Sequence, residues 1–333
     1  MTSTTMRALL QHGYGGTEVL SVGDHPEPTA GPKQLLVQVH AVSPDAGTVH
    51  LMTGHPSILR PFVGWRTPRQ PVAGLAFAGI VRAVGVQVEG FAAGDRVAGS
   101  APAAFADLVA ANPAKVAHVP AGVPMADAAT LPISAGTALQ ALRDTAKVQP
   151  GQRVAIIGAG GGGGSFLTQL AVLEGARVTG IASAAKAAFV RSLGAERVID
   201  YRAVSDPSEW GEFDVVVDTA DGRPLRVLRR ALAERGTLVI VGADGAGGPV
   251  LDGLERQLGG GVLNPWVRHR LTSTIQVERA SDLQILLDHL AAGRLRAPVA
   301  EIVPFDDARG AIERLQRQQV PGKIVLELRP EGP

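Results

Sequence analysis

The chain contains no cysteine, and this absence excludes several kinds of chemistry at once. Without thiols there can be no disulfide, no thiolate nucleophile, no iron–sulfur cluster and no zinc site with a cysteine ligand. An excess of charge of one sign is also lacking, because 32 Lys and Arg residues are balanced by 31 Asp and Glu residues. With this balance and no basic run, we expect neither nucleic acid nor an anionic membrane surface as a partner.

Long apolar stretches are missing as well. No run reaches the roughly 18 apolar residues of a membrane span. The opening MTSTTMRALLQHGYGG has no apolar stretch behind a basic segment, so no secretory leader is expected. What is present, 45% hydrophobic residues over 333 positions, is typical of a packed globular protein with two domains. We expect a cytoplasmic enzyme.

The first third of the chain has the pattern of short strands separated by Gly and Pro. Two examples are LLVQVHAV at 35–42 and FAGIVRAVG at 77–85. Strands at this spacing, punctuated by turn residues, predict a small barrel-like, mainly β unit.

A different pattern follows, in which apolar runs alternate with amphipathic stretches. The predicted strands, in order, are RVAIIG (153–158), RVTGIA (177–182), RVID (197–200), DVVVD (214–218) and TLVIVG (237–242). Alternation of this kind predicts an α/β fold with a doubly wound parallel sheet, the Rossmann arrangement. The closing strand GKIVLEL comes after the alternation has stopped, so we expect it to return to the first domain. The predicted domains are 1–123 with 270–333, and 124–269.

The strongest motif is AIIGAGGGGGSFLTQLA, where Gly158, Gly161 and Gly164 lie three apart between a strand and a helix. Such a turn needs residues without Cβ, so that backbone N–H groups and the helix N-terminus can approach a pyrophosphate. We assign Gly158, Gly161, Gly162 and Gly164 to cofactor binding. The alternative is a flexible glycine-rich loop, which the framing strand and helix disfavour. Gly163 stands where a packing residue is normal.

The end of the second predicted strand bears on which cofactor is bound. NAD enzymes usually place Asp or Glu there to accept from the ribose 2′-hydroxyl. This chain has Ala182 and Ser183, with Lys186 one turn further on, and Tyr201 and Arg202 after the third strand. A hydroxyl, a cation and a phenol suit a 2′-phosphate, so we predict NADPH, bound by Ser183, Lys186 and Tyr201. Alternatively, Lys186 and Arg202 are ordinary solvated charges.

Together these features resemble the medium-chain dehydrogenase/reductase superfamily over nearly the whole chain. The segments YGGTEVLSV, SPDAGTVHLMTGHP and AGIVRAVGVQVEGFAAGDRV are similar to its GroES-like catalytic domain, and AATLPISAGTALQAL precedes the nucleotide domain as expected. The spacing GxxGxxG resembles the quinone oxidoreductase branch. The resemblance implies a homodimer, and it places Thr137 near the cofactor phosphate or nicotinamide, although Thr137 could instead cap a helix. Val241 and Gly242, which end a predicted parallel strand, are assigned to the cofactor because ligands gather at that edge.

The zinc-dependent alcohol dehydrogenases of this superfamily carry Cys and His ligands and a GHE segment. Here Gly74 is followed by Leu75 and Ala76. His50 and His55 are two candidate ligands without a third, a pattern that is more often structural or substrate-facing. We therefore expect no metal.

Without a metal, reduction is easiest where the acceptor itself stabilises negative charge, as quinones, enones and enals do. The expected activity is hydride transfer from NADPH to such a small hydrophobic substrate. Ser43, at the position where the branch usually has Asn, His50 and solvent are the candidate proton donors. Two alternatives stay open: a tailoring reductase of polyketide-like intermediates, and a cofactor-binding protein with little redox activity.

Overall fold

The computed structural model describes residues 4–219, 222–242, 264 and 267–330. Its contacts divide the chain into two units. The first comprises Met1–Gly54, Leu59–Gly136 and Val277–Pro333, and the second comprises His55–Ile58 and Thr137–Gln276. The fold is mixed α/β, with a parallel sheet in the second unit and a mainly antiparallel sheet in the first.

The first unit is built on a seven-stranded sheet and a separate two-stranded ribbon. The ribbon pairs β1 (Thr5–Gln11) with β2 (Leu20–Pro26). The larger sheet runs β14-β15-β3-β4-β5-β7, with β6 also paired to β3. Its strands are β3 (Leu35–Val42), β4 (Ala76–Val84), β5 (Arg96–Ser100), β6 (Leu108–Ala111), β7 (Val116–His118), β14 (Val299–Pro304) and β15 (Lys323–Glu327).

The core of this sheet follows from the alternation of its sequence. In β3 the side chains of Leu35, Val37 and Val39 are fully buried, and the residues between them are half-buried. Successive side chains of a strand point to opposite faces, so these three share one face. They belong to a core cluster that includes the buried rings of Phe77 and Phe105. As expected, the closing strand β15 returns to this sheet and pairs with β3.

The helices of the first unit are short. They are α1 (Ala46–Thr53), α2 (Arg60–Val63), α3 (Met125–Ala128), α8 (Ala280–Ala291) and α9 (Ala308–Gln316), and α4 (Gly136–Gln140) begins at the boundary of the two units. Asp45 is the N-cap of α1, and its carboxylate accepts a hydrogen bond from the Thr48 N–H at 2.8 Å. The Thr48 hydroxyl in turn accepts a hydrogen bond from the Asp45 N–H. This capping box satisfies N–H groups that the first turn cannot pair internally.

The second unit contains a six-stranded parallel sheet in the order β10-β9-β8-β11-β12-β13. Its strands are β8 (Arg153–Ile157), β9 (Arg177–Ala182), β10 (Arg197–Asp200), β11 (Phe213–Asp218), β12 (Leu232–Val241) and β13 (Arg270–Thr274). Its helices are α5 (Gly162–Leu173), α6 (Ala187–Ser192) and α7 (Leu225–Leu228). Strand β8 is buried from Val154 to Ile157, as expected of a central parallel strand covered on both faces. The order is that of a Rossmann fold.

One strand lies outside the range that the sequence predicted for this domain. β13 pairs with β12 as the sixth parallel strand, although the sequence places 270–333 with the first domain. The sequence RLTST is polar and only partly buried, because β13 is at the edge of the sheet. An edge strand lacks the continuous apolar run that marked its neighbours, so the pattern gave no signal.

Among the described residues, no helix has both the length and the apolar character that crossing a membrane would require.

Candidate functional site

The turn after β8 begins at a glycine in a left-handed conformation, which favours glycine over other residues. Gly158 has a φ of +79°, and its N–H donates to the Ile181 carbonyl at 3.0 Å. Gly161 then donates to the Gly158 carbonyl at 2.9 Å and stands at the N-cap of α5, where no side chain caps the helix. The N–H groups of this first turn have no partner within the helix, so they suit an anion.

Gly164 is required by a close approach of two backbone segments. A Cβ at this position would lie 2.1 Å from the Gly158 carbonyl oxygen, well inside contact distance. Gly162 is the first residue of α5, and Gly163 follows it with open space around the position of its missing Cβ. The turn therefore has the geometry expected of a pyrophosphate loop, with Gly158, Gly161, Gly162 and Gly164 in one short arc.

Lys186 follows the neighbouring strand β9, and its side chain lies against the glycine turn. β9 ends at Ala182, and Ser183 precedes a short 3₁₀ helix at Ala184–Lys186, whose last N–H donates to the Ser183 carbonyl at 2.9 Å. The aliphatic stem of Lys186 packs against Gly160. Burial lowers the pKa of the Lys186 ammonium from its ordinary value.

Tyr201 follows β10 and belongs in part to the core. Its ring packs against the cluster that includes Trp210 and Phe213, and the Arg202 guanidinium lies 5.5 Å from the ring centroid. Asp200, the last residue of β10, is in register with Ala182, and its carboxylate accepts from the Arg202 N–H at 3.0 Å. Asp200 is not among the site residues predicted from the sequence, although it ends the motif RVID.

Thr137, Val241 and Gly242 also belong to the second unit. The Thr137 hydroxyl donates to Gln276 Oε1 at 2.8 Å. Val241 is the last residue of β12, and Gly242 after it is exposed, with a φ of +95°. The strands are parallel, so β8, β9, β10 and β12 all end at the same edge of the sheet. The predicted cofactor residues other than Thr137 lie at or just after the ends of these strands.

The two candidate proton donors lie in the first unit. Ser43 is fully buried, and its hydroxyl donates to the Ile324 carbonyl at 2.8 Å. While that bond holds, the hydroxyl proton is not available to a substrate. His50 is half-buried in the last turn of α1, and its carbonyl accepts from the Gly54 N–H at 2.9 Å.

Lys323, in the closing strand β15, is a buried cation. Its Nζ donates to the Pro44 carbonyl at 2.7 Å and to the Ser134 hydroxyl at 3.1 Å. Burial lowers the pKa of Lys323 to about 8, and the Asp45 carboxylate opposes this shift. Lys323 and Ile324 thus fix the segment 43–45 to β15 from two sides. No local pattern could have shown this contact, because the partners are about 280 residues apart.

The residues that zinc would need are not gathered in the described part of the chain. No group of three or more His, Cys, Asp or Glu side chains there could hold a metal ion. His50 and His55 lie on either side of Gly54, which ends α1 in a left-handed conformation with a φ of +65°. The described residues do not fit a zinc site of the usual three or four ligands.

Comparison with known proteins agrees with this fold. The family model "Alcohol dehydrogenase GroES-like domain" matches residues 31–120, and "Zinc-binding dehydrogenase" matches residues 193–326. A chloroplast envelope quinone oxidoreductase homologue from Arabidopsis thaliana is 28% identical over 342 aligned positions, covering 98% of this chain and 100% of that protein. Erythronolide synthase EryA2 of Saccharopolyspora erythraea is 37% identical over 183 positions, which cover 53% of this chain and 5% of the synthase.

Solved structures give the same result. The quinone oxidoreductase of Coxiella burnetii superimposes with a TM-score of 0.83 at 27% identity, covering 98% of this chain and all of that one. A mycobacterial protein in complex with NADPH gives a TM-score of 0.81 at 26% identity, covering 97% and 99%.

The fold and the glycine turn define a two-domain oxidoreductase with a Rossmann sheet and a GroES-like domain. The chain belongs to the medium-chain dehydrogenase/reductase superfamily and to its quinone oxidoreductase-like family, whose members bind nicotinamide cofactors.

Proposed function

We propose that this oxidoreductase uses NADPH, without zinc, to reduce a quinone or an activated C=C bond. The observation that carries the cofactor choice is Lys186, whose stem packs against the glycine turn beside a strand that ends in Ala182 and Ser183. A cation there favours a 2′-phosphate, and β9 ends without the carboxylate that would repel it. The relative solved with NADPH supports the same choice.

The chain's own residues would hold the cofactor as follows. Gly158, Gly161, Gly162 and Gly164, at the N-terminus of α5, would bind the pyrophosphate. Ser183, Lys186 and Tyr201 would bind the adenosine ribose, while Thr137, Val241 and Gly242 would bind nearer the nicotinamide half. When bound, the cofactor supplies a hydride, and the protein contributes positioning.

The acceptor class follows from the lack of a set of metal ligands among the residues that the structure describes. A simple carbonyl reduced without a Lewis acid would leave an alkoxide with nothing to stabilise it. A quinone or a conjugated enone spreads the developing charge over its own π-system, so a metal is not required. Among the relatives, the proteins named as quinone oxidoreductases cover nearly the whole chain, which supports this substrate class. His50 or solvent then supplies the proton, since the Ser43 hydroxyl is bonded to Ile324.

The test is a fluorescence titration with NADPH and with NADH, followed by the loss of NADPH absorbance over a panel of quinones and enones, with and without a zinc chelator. Tighter binding of NADPH and turnover that the chelator leaves unchanged support the proposal. Preference for NADH would refute the roles of Ser183, Lys186 and Tyr201, and would make Asp200 the residue that binds the ribose. Loss of activity with the chelator would refute zinc independence.

A second candidate is reduction of an enoyl thioester in polyketide-like biosynthesis. It is favoured by the 37% identity to part of a polyketide synthase, a higher identity than that of the full-length quinone relatives. An enoyl thioester added to the same panel distinguishes the two substrate classes by kcat/KM. Tight NADPH binding with no turnover on any acceptor would favour the cofactor-binding protein without redox activity.

We also propose a homodimer, from the resemblance to the superfamily, and a cytoplasmic location, from the lack of a secretory leader and of a long apolar run in the sequence. Light scattering at micromolar concentration tests the dimer. Two relatives are named as chloroplastic. A fluorescent fusion of the chain therefore tests the location.

A further inference from the structure

The missing side chain of Gly160 is replaced in space by the stem of Lys186. A Cβ built on Gly160 would lie 2.7 Å from Lys186 Cδ, 3.0 Å from its Cβ and 3.4 Å from its Cγ. These are the three nearest atoms, and all of them belong to Lys186. The position is buried, so an added methyl group could not turn away into solvent.

Backbone conformation does not explain why this residue is glycine. Gly158 in the same turn has a φ of +79°, whereas Gly160 does not have a positive φ, so alanine would fit its backbone. An alanine at 164 would clash with a backbone carbonyl, whereas an alanine at 160 would meet the side chain of Lys186, which would have to shift. The packing of the lysine stem on the turn therefore depends on glycine at 160.

The packing has a consequence for the ammonium group. The stem of Lys186, the last residue of the 3₁₀ helix at Ala184–Lys186, rests on the turn at Gly160. Packing of this kind restricts the rotamers of a long side chain. We propose that Gly160 is a specificity-determining residue, which lets the Lys186 stem rest on the turn and so directs the ammonium to a phosphate monoester on the adenosine ribose. This inference rests on the proposed use of NADPH.

Other charged groups near this edge are Arg202 and Asp200. Asp200 accepts from the backbone N–H of Arg202, and the Arg202 side chain lies over the Tyr201 ring. Neither is among the three atoms nearest to the missing Gly160 Cβ, so a substitution at Gly160 acts first on Lys186.

Binding of two nucleotide fragments to the intact protein tests the inference without any turnover. The affinities of 2′,5′-ADP, which carries the 2′-phosphate, and of 5′-AMP, which lacks it, are measured by isothermal titration calorimetry. Gly160→Ala should weaken 2′,5′-ADP by about tenfold, the loss expected for one charge-assisted contact, and leave 5′-AMP within about twofold.

Gly13→Ala is the matched control, because the same substitution at this distant glycine meets nothing within 4 Å and needs no left-handed backbone. It should change neither affinity. Lys186→Ala completes a double-mutant cycle, in which adding Gly160→Ala should cost no further 2′,5′-ADP affinity because the ammonium is gone. Should Gly160→Ala alone fail to fold, adding Lys186→Gly, which also removes the Lys186 Cβ that would lie 3.0 Å away, must restore folding, and a double variant that stays unfolded overturns the inference.

The outcomes separate the two claims. A wild-type protein that binds 2′,5′-ADP no better than 5′-AMP refutes NADPH specificity and with it any role for Gly160. A wild-type preference that Gly160→Ala leaves intact, or a loss of both ligands to the same degree, overturns the Gly160 inference alone and leaves NADPH specificity in place.

Discussion

Ser43 shows how a single hydrogen bond changes the interpretation of a residue. From its sequence position it is a candidate proton donor, and in the structure its hydroxyl donates to the Ile324 carbonyl from a fully buried site. A hydroxyl held in this way contributes to stability, because its removal leaves a buried carbonyl with one bond fewer.

We expect Ser43→Ala to lower the free energy of unfolding by about 1 kcal/mol while changing kcat by less than about threefold. Chemical denaturation and the pH profile of kcat measure the two effects. A kcat that falls by orders of magnitude while stability is kept would instead make Ser43 the proton donor.

Lys323 gives the protein a pH-dependent stability whose sign is fixed by burial. Its folded pKa of about 8 lies below the ordinary value of 10.5, so between these pH values the unfolded chain binds a proton that the native protein has released. The contribution of this residue to the free energy of unfolding therefore rises with pH over that window, by up to about 3 kcal/mol.

Lys323→Met should remove this contribution. The difference in free energy of unfolding between wild type and variant should then grow in favour of the wild type from pH 8 to 10.5, measured by urea denaturation at several pH values. A difference that stays constant with pH would show that the folded pKa is not depressed. Lys147→Met, which alters an exposed lysine at a helix end, is the matched variant and is measured over the same pH range.

Helix α5 carries the glycine turn and is built with a weak first turn. Gly162, Gly163 and Gly164 open the helix, and glycine lowers helix stability relative to alanine because its unfolded backbone is freer. Gly164 has to remain glycine for the approach of Gly158, whereas the space around Gly163 is open.

Gly163→Ala should therefore raise the free energy of unfolding by a few tenths to about 1 kcal/mol, without altering dinucleotide affinity. A thermal melt and an NADPH titration check both statements. A lower melting temperature would mean that the first turn needs the flexibility of a third glycine. Gly164→Ala provides the contrast, because it should lower both stability and affinity.

At the scale of the whole molecule, the first unit is closed by a strand from the far end of the chain. β15 pairs with β3 and β14, and its residues Lys323–Leu326 are buried. Chain ends commonly fray, but a terminal strand that is buried and paired on both sides should not.

We expect the amides of β15 to exchange with deuterium as slowly as those of β3, and far more slowly than those of the exposed loop at Trp65–Thr67. Hydrogen exchange followed by mass spectrometry measures this, with and without NADPH. Fast exchange over 323–327 would mean that the C-terminal strand detaches independently of the unit it completes.

The class of the protein could be predicted from its amino-acid sequence alone. A glycine turn, a strand before it and a helix after it are set by neighbouring residues, so the periodicity of apolar side chains was enough to predict the Rossmann sheet and the phosphate loop. The preference for NADPH was also predicted from the residues after β9, and it stays a prediction.

Contacts between residues far apart in the chain were visible only in the folded structure. Ser43 meets Ile324 across 281 positions, Lys323 reaches Pro44 and Ser134, and β13 joins the parallel sheet without an apolar run of its own. The stem of Lys186 on Gly160 likewise depends on how β9 pairs with β8. Local patterns encode the elements, whereas burial and hydrogen-bond partners arise only once the elements pack.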